Sequence, residues 1–425
     1  MKLSFLKKKI FLISIGILAV LLLMFLVLHS LRLHAKHTQK PITMMIATDM
    51  HVLASEYTGD YFYEPNALFD GKVTHYSNEY FDAFLAEVME KKPELLILSG
   101  DLTLNGSIQS HEEMVARLTK VQESGTQVLV IPGNHDVDVT AGDYSQEEPV
   151  VVESLNSEDF FTYYESFGPN QAISRDETSF SYIYEASPYL RILMLDTNCY
   201  HKGSVQANTL EWLEKELRNA KLAGAEVMAV THQNLHIHNP LLYFTYQLYN
   251  ADELLALYEK YDVKVNISGH IHVQSIVTDS VPEIVVSSLA VPDTQYGQIV
   301  YDGKTLEYTT HTTDVASYAK AQGWTNEDLL NFKEYCRYYF EAIAKEQTYE
   351  SYAESDLSQE DIGLLAETFA KINSAYFAGE IITEADYAEG LALWRTPEES
   401  FVLRYIETML DASSKNNRAL SIPLE

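Results

Sequence analysis

The sequence predicts an α/β layered domain followed by an all-α domain, with one membrane-crossing helix in front. Three patterns predict it. Short apolar runs alternate with helix-period runs from residue 42 to about residue 312, the order that builds a sheet covered by helices. Strand patterns then stop, while helix-start signals continue to the C-terminus. Ile10 to Leu28 is an apolar run interrupted only by Ser14 and Gly16.

That first run is long enough, at about 1.5 Å per residue, to cross the roughly 30 Å hydrocarbon layer as a helix. A secretory signal has a shorter apolar core and a small-x-small cleavage site. Leu33-His34-Ala35 is a poor one, so we expect an uncleaved anchor. Lys2, Lys7, Lys8 and Lys9 precede the run, and Arg32, Lys36 and Lys40 follow it. This excess favours the N-terminus inside. The expected location is therefore the cell membrane, single-pass, with the remaining chain extracytoplasmic. Cys199 and Cys336 would there meet conditions that permit pairing.

Composition narrows the class of partner. The 425 residues carry a formal net charge of −31, spread over the chain beyond the anchor. A backbone-binding nucleic-acid protein needs clustered Lys and Arg, so no nucleic-acid polymer is expected as partner. Two cysteines are too few for a disulfide scaffold or a thiolate zinc site.

Along the chain, Ile42–Ala47, Leu95–Leu98 and Val128–Ile131 read as strands, as do Ile192–Leu195, Val227–Val230 and Val263–Ile267. Tyr80, Phe81, Phe84, Leu85 and Val88 form a helical stripe between the first two, and Ser110 to Glu113 reads as a capping-box start. Further helices are expected from about Leu210 and Leu254. Ile284–Val286, Ile299–Tyr301 and Leu306–Thr309 close the region, the last two joined as a hairpin through Asp302-Gly303. After Thr313, helix starts are expected at Thr325, Ser358, Thr383 and Thr396, the last followed by Pro397. The expected division is residues 1–40 anchor and linker, 41–312 the layered α/β domain, and 313–425 helical.

Chemistry gathers at strand ends. The strand runs lead into Asp49-Met50-His51, Gly100-Asp101, Gly133-Asn134-His135-Asp136, His232 and Gly269-His270-Ile271-His272. In open α/β sheets, sites collect at the carboxyl ends of the strands. A single strand-end Asp is ordinarily a turn residue, but five blocks rich in carboxylate and imidazole in one chain are not so explained. Imidazole and carboxylate without thiolate suit Fe, Mn, Zn or Co. In extended backbone the members of Asp-x-His and His-x-His point apart, so each pair needs a turn or serves different ions.

These five blocks, in this order over residues 43–274, resemble the calcineurin-like metallophosphoesterase superfamily. The resemblance implies a two-sheet αββα sandwich with a dinuclear site. It implies Asp49, His51 and His272 as ligands of one metal ion, Asn134, His232 and His270 as ligands of the other, and Asp101 as the bridge. His135 matches the non-ligand histidine beside the leaving group, with Asp136 orienting it. Ser99 to Gly106, Leu195-Asp196-Thr197 and the helical domain are similar to membrane-attached bacterial cyclic-nucleotide phosphodiesterases. The implied reaction is hydrolysis of a small phosphodiester, a cyclic nucleotide, by a hydroxide bridging the two ions, with His135 as general acid. A phosphomonoesterase or pyrophosphatase, and a catalytically silent metal-binding scaffold, are the alternatives. His236 and His238 read either as substrate contacts or as an exposed loop. The insertion Leu53–Tyr76, with Tyr57, Tyr61, Phe62, Tyr63 and Phe69, reads either as a base-stacking lid or as packing. Asn105 is a candidate to reach the site, and Ser145–Asp159 reads as a solvated loop.

Overall fold

The computed structural model describes residues 2–59, 71–396 and 400–424, leaving aside the side chains of residues 2–8, 10 and 29. Helix α1 (Lys2–His37) precedes strand β1 (Ile42–Ala47). Then follow α2 (Ser77–Lys91), β2 (Leu95–Leu98), α3 (Ile108–Glu123) and β3 (Gln127–Val130). A small hairpin, β4 (Ala141–Asp143) and β5 (Val150–Val152), leads to α4 (Ser157–Tyr164). Next come β6 (Ser174–Arg175), β7 (Tyr182–Ser187), β8 (Leu190–Met194), α5 (Ala207–Ala223) and β9 (Glu226–Val230). The region closes with α6 (Tyr243–Tyr246), α7 (Ala251–Tyr261), β10 (Val265–Ser268), β11 (Ser275–Val277), β12 (Glu283–Val285), β13 (Gln295–Tyr301) and β14 (Thr305–Thr312). Among the described residues six helices follow: α8 (Val315–Gln322), α9 (Glu327–Leu330), α10 (Phe332–Ser351), α11 (Gln359–Phe377), α12 (Ala388–Trp394) and α13 (Phe401–Ala412). Strand β15 (Ala419–Pro423) ends the described chain.

The strands form two large sheets, ordered β15-β14-β13-β1-β2-β3 and β11-β12-β10-β9-β8-β7-β6. Strands β1, β2 and β3 run parallel, as do β8, β9, β10 and β12. Period-2 alternation assigns their side chains to two layers. Ile192, Met194, Met228 and Val230 join the core between the sheets. Leu193, Val227 and Ala229 face Leu213 and Leu217 of α5 and Leu254 and Tyr258 of α7. On the other side, Tyr80, Phe81 and Phe84 of α2 and Met114 and Leu118 of α3 cover the first sheet. The layers are therefore helix, sheet, sheet, helix.

Several expectations need correction. Strand pairing does not stop at Thr313, because β15 returns and pairs antiparallel with β14, from Ala419 opposite Thr309 to Pro423 opposite Thr305. The cap of α3 is Ser107, whose hydroxyl accepts from the Ser110 N–H, so Ser110 lies inside the first turn. Asn326, not Thr325, caps α9, accepting from the Asp328 N–H. Ser145–Asp159 is only partly loop, since it contains β5 and the Asn156-capped start of α4. Ser358 caps α11 through the Asp361 N–H, whereas Thr383 makes no side-chain cap at the short 3-10 turn it opens. Pro397 lies outside the described residues, and Ser400 caps α13. Cys199 and Cys336 are both buried and free.

Helix α1 is exposed along its apolar length and is long and apolar enough to cross a membrane. Its C-terminal end meets the body at Lys36, which pairs with Glu226 at 2.5 Å, and at Arg32, which donates to the Ala223 carbonyl. Both contacts lie at the amino end of β9, opposite the carboxyl edge of the parallel strands.

Candidate metal centre

The loops after β1, β2, β3, β9 and β10 bring the five sequence blocks to one edge. Asp49 and His51 follow β1 with φ of 51° and 46°, Asp101 follows β2 with φ 48°, and His270 and His272 follow β10 with φ 69° and 61°. Left-handed backbone is costly for residues with a Cβ, roughly 1–3 kcal/mol each, and such residues gather where surrounding structure over-determines them. Here that conformation curls the ends of buried strands back on themselves. Glycines at the same turns serve close approach: a Cβ on Gly133 would lie 2.1 Å from the Asp101 carboxylate, and one on Gly100 would meet the His232 ring at 2.6 Å.

The result is two clusters of ligand atoms, each within 4.8 Å: Asp49, His51, Asp101 and His272, and Asp101, His232 and His270. Asp101 belongs to both. Asp-x-His thus serves one cluster through a turn, while His270 and His272 divide between the two. Asn134 stands with the second, its Oδ1 3.0 Å from His232 Nε2. His51 Nε2 lies 3.3 Å from His272 Nε2, and His232 Nε2 lies 3.4 Å from Asp101 Oδ1. Asp49 Oδ1 approaches His272 Nε2 at 3.2 Å without hydrogen-bond geometry and is buried. Buried lone pairs converging from several sides are what a cation satisfies and what a protein otherwise avoids. The donor set, imidazole with carboxylate and one amide oxygen, fits two ions of the first transition row.

Outer contacts fix these side chains in place, as a metal site would require. The Ser99 carbonyl holds His232 Nδ1 at 2.9 Å, and the Thr245 carbonyl holds His270 Nε2 at 2.9 Å. Asp49 Oδ2 accepts from Thr48 Oγ1 and from the His270 backbone N–H. Burial alone would raise the Asp101 carboxyl, but the imidazoles of His232 and His135 outweigh it and hold it well below the ordinary range. Burial would likewise depress His232, yet the charge on Asp101 lifts it to about 9. Burial pushes His270 down to about 4, and the charge on His232 adds to it. His51 is also held well below its ordinary value by burial. The carboxylates therefore attract positive charge, and His51 and His270 are neutral imidazoles suited to ligation.

His135 sits at the rim of the clusters. Its backbone N–H donates to Asp101 Oδ1 at 2.9 Å, and its Nδ1 bonds the Leu104 carbonyl at 2.8 Å. Asp136 does not orient it. The buried Asp136 carboxylate accepts from the N–H groups of Gly133, Leu102 and Thr103 and from the Thr103 hydroxyl, and so welds the loop after β3 to the loop after β2. Burial, with the charge on Asp101, pushes its carboxyl up to about 7 against those donors.

His236 and His238 face away from the clusters. His238 is buried between Ser275 Oγ at 2.9 Å and Glu283 Oε2 at 3.1 Å, and His236 bonds the Val281 carbonyl. Buried Glu283 needs such partners, and also accepts from Asn266, Ser268 and two backbone N–H groups. Asn105 is half-buried and donates to the Tyr144 hydroxyl at 2.6 Å. In the insertion, Tyr57 is half-buried, and Tyr61, Phe62, Tyr63 and Phe69 lie outside the described residues. Its returning limb packs on the C-terminal helices, with the Tyr76 hydroxyl on Asp328 and its ring against Phe332.

Two cations escaped sequence reasoning. Lys202 donates to the Asn134 carbonyl at 2.8 Å. Lys72 is 3% exposed, and its charge bears on His51 and His135. Each stands in a loop without periodicity. Neither position carries a pattern in the sequence that could have found it.

Residues 42–274 match the family model of calcineurin-like phosphoesterases, and residues 314–416 match that of the C-terminal domain of cyclic nucleotide phosphodiesterase. A 3',5'-cyclic-nucleotide phosphodiesterase of Nostoc sp. (strain PCC 7120) is 26% identical over 235 residues, 55% of this chain and 72% of that protein. Among solved structures, a dimetal phosphatase from Danio rerio covers 64% of this chain and 96% of its own at 12% identity and a TM-score of 0.45. The TT1561 protein of Thermus thermophilus covers 64% of this chain and 100% of its own at 9% identity and a TM-score of 0.36.

Proposed function

Because the chain belongs to the calcineurin-like phosphoesterase family, we propose that it hydrolyses a small phosphodiester, specifically a cyclic nucleotide, at the two clusters that share Asp101. That sharing carries the reading. One carboxylate within reach of two imidazole sets suits a pair of cations acting on a single phosphoryl group. The match of residues 314–416 and the name of the Nostoc relative support the cyclic-nucleotide substrate.

In this reading Asp49, His51 and His272 hold one ion, Asn134, His232 and His270 the other, and Asp101 both. The ions, when bound, supply an acidified water and offset charge on the phosphoryl oxygens. The chain's own residues do the rest. His135 has Nδ1 committed to the Leu104 carbonyl, which leaves Nε2 to give a proton to the leaving oxygen. Burial lowers its pKa, which makes the protonated ring a stronger acid. Lys202, on the Asn134 carbonyl, is a cation at hand for a non-reacting phosphate oxygen. A net charge of −31 repels polyanions and so favours a diester with one charge.

The proposal keeps residues 1–40 as anchor and linker, 41–312 as catalytic and 313–425 as helical, with residues 419–423 returning to the catalytic sheet. Helix α1 would cross a cell membrane once, with the catalytic region outside the cytoplasm. Protease added to intact spheroplasts should then degrade that region, and full protection would contradict this orientation. The reaction is tested by assaying metal-loaded protein on bis-p-nitrophenyl phosphate, p-nitrophenyl phosphate and 3',5'-cyclic nucleotides. Turnover of the diesters ahead of the monoester is expected. Turnover of the monoester alone, or of none, overturns the reading.

A further inference from the structure

The four residues His270-Ile271-His272-Val273 face two ways. The histidines enter the ligand clusters, while Ile271 and Val273, 5% and 1% exposed, enter the core of the C-terminal helices. There they share one apolar cluster with Leu365, Ile372 and Tyr376 of α11 and Trp394 of α12. Gln274 continues the attachment. Its backbone N–H donates to the Phe377 carbonyl at 2.9 Å, and its Nε2 donates to the Asn417 carbonyl at 2.8 Å. A Cβ on Gly379 would lie 2.7 Å from the Gln274 side chain, so the turn after α11 sits directly on this residue. The same helices reach the loop after His232, where Asn239 Nδ2 donates to the Tyr376 and Thr408 hydroxyls.

His270 and His272 both hold left-handed backbone, which the loop would not keep without outside contacts. We propose that the C-terminal helices form the rear wall of the metal centre, with Ile271, Val273 and Gln274 as positioning residues that hold His270 and His272 to the two ions. The helical region is then part of the catalytic machinery and not an appended module. This rests on the proposed metal centre, and it goes beyond it by assigning the helices a task.

The test titrates the full chain with Co²⁺, following the visible absorption of bound cobalt, well below the unfolding temperature. Ile372→Ala and Leu365→Ala alter the helical side of the cluster and leave every ligand in place. Each should weaken cobalt affinity about tenfold or more and change the band shape, with near-UV circular dichroism retained. The milder Ile372→Val, which is expected to fold whatever becomes of the alanine variants, should move affinity the same way by about two- to threefold. Wild-type affinity and spectrum in the folded variants, with only a lowered Tm, would overturn the inference and leave the metal centre standing. Failure of the wild-type chain to bind cobalt at all would overturn both.

Discussion

His135 is held by two bonds, one from its backbone N–H to the Asp101 carboxylate, which an alanine would keep, and one from its ring to the Leu104 carbonyl, and its ring belongs to neither cluster. His135→Ala should therefore keep the metals while losing about 10²–10⁴-fold in rate on esters with poor leaving groups. The loss on p-nitrophenyl esters should be smaller, because that leaving group needs no proton. Equal losses on both, read from kcat with each substrate, would remove His135 from the acid role. His111 makes a second case at this scale. It is buried, with Nδ1 on the Tyr164 hydroxyl and Nε2 on the Asp136 carbonyl, and burial pushes its pKa down to about 4. The unfolded chain takes up that proton below about pH 6.5 and the native state does not, so stability falls as pH drops from 6.5 to 4. The share owed to His111 is about 3 kcal/mol at most, by about pH 4. Chemical denaturation across that range should show a flatter profile in His111→Gln, and an unchanged profile would contradict the assignment. The nine polar residues at the strand ends were legible because each follows a buried apolar run. Lys72 and Lys202 were not, because only tertiary packing brings their loops to the rim. Asp136 was misread because adjacency to His135 in sequence says nothing about which way a turn sends the carboxylate.

Strands were legible where they are central and buried over all or nearly all of their length, as β1, β2, β9 and β10 are. Such strands read as continuous apolar runs. The short edge elements carry no such signal. Strand β15 is the clearest example: Ala419-Leu420-Ser421-Ile422-Pro423 alternates, is exposed at every other position, and ends on the proline an edge tolerates. It follows a run of helices, so periodicity alone assigns it to their domain. Yet Leu424, 3% exposed, joins the main core beneath the sheet, and its N–H donates to the Lys304 carbonyl at 2.7 Å. Leu424→Ala should cost about 2–5 kcal/mol of stability in urea unfolding with the m-value unchanged. A cost under about 0.5 kcal/mol would mean that the last strand is ornamental to the fold.

Across the whole molecule, the two ends of the parallel strands have separate tasks. At the carboxyl ends, five loops converge on Asp101. At the amino ends, α1 is tied down by Arg32 and Lys36. The layer order followed from strand and helix alternation together with the family resemblance, whereas the closure of the helical region onto the His270–Gln274 loop could not be foreseen, since Ile271 and Val273 look in sequence like any strand-end apolar residues. The account depends on a pair of cations sharing one carboxylate. The most direct measurement is the metal content of the purified full chain and of its Asp101→Ala variant, by mass spectrometry after dialysis against trace metal. Two ions per wild-type chain and fewer than two in the variant are predicted. One ion or none in the wild type, or both retained without Asp101, would contradict it.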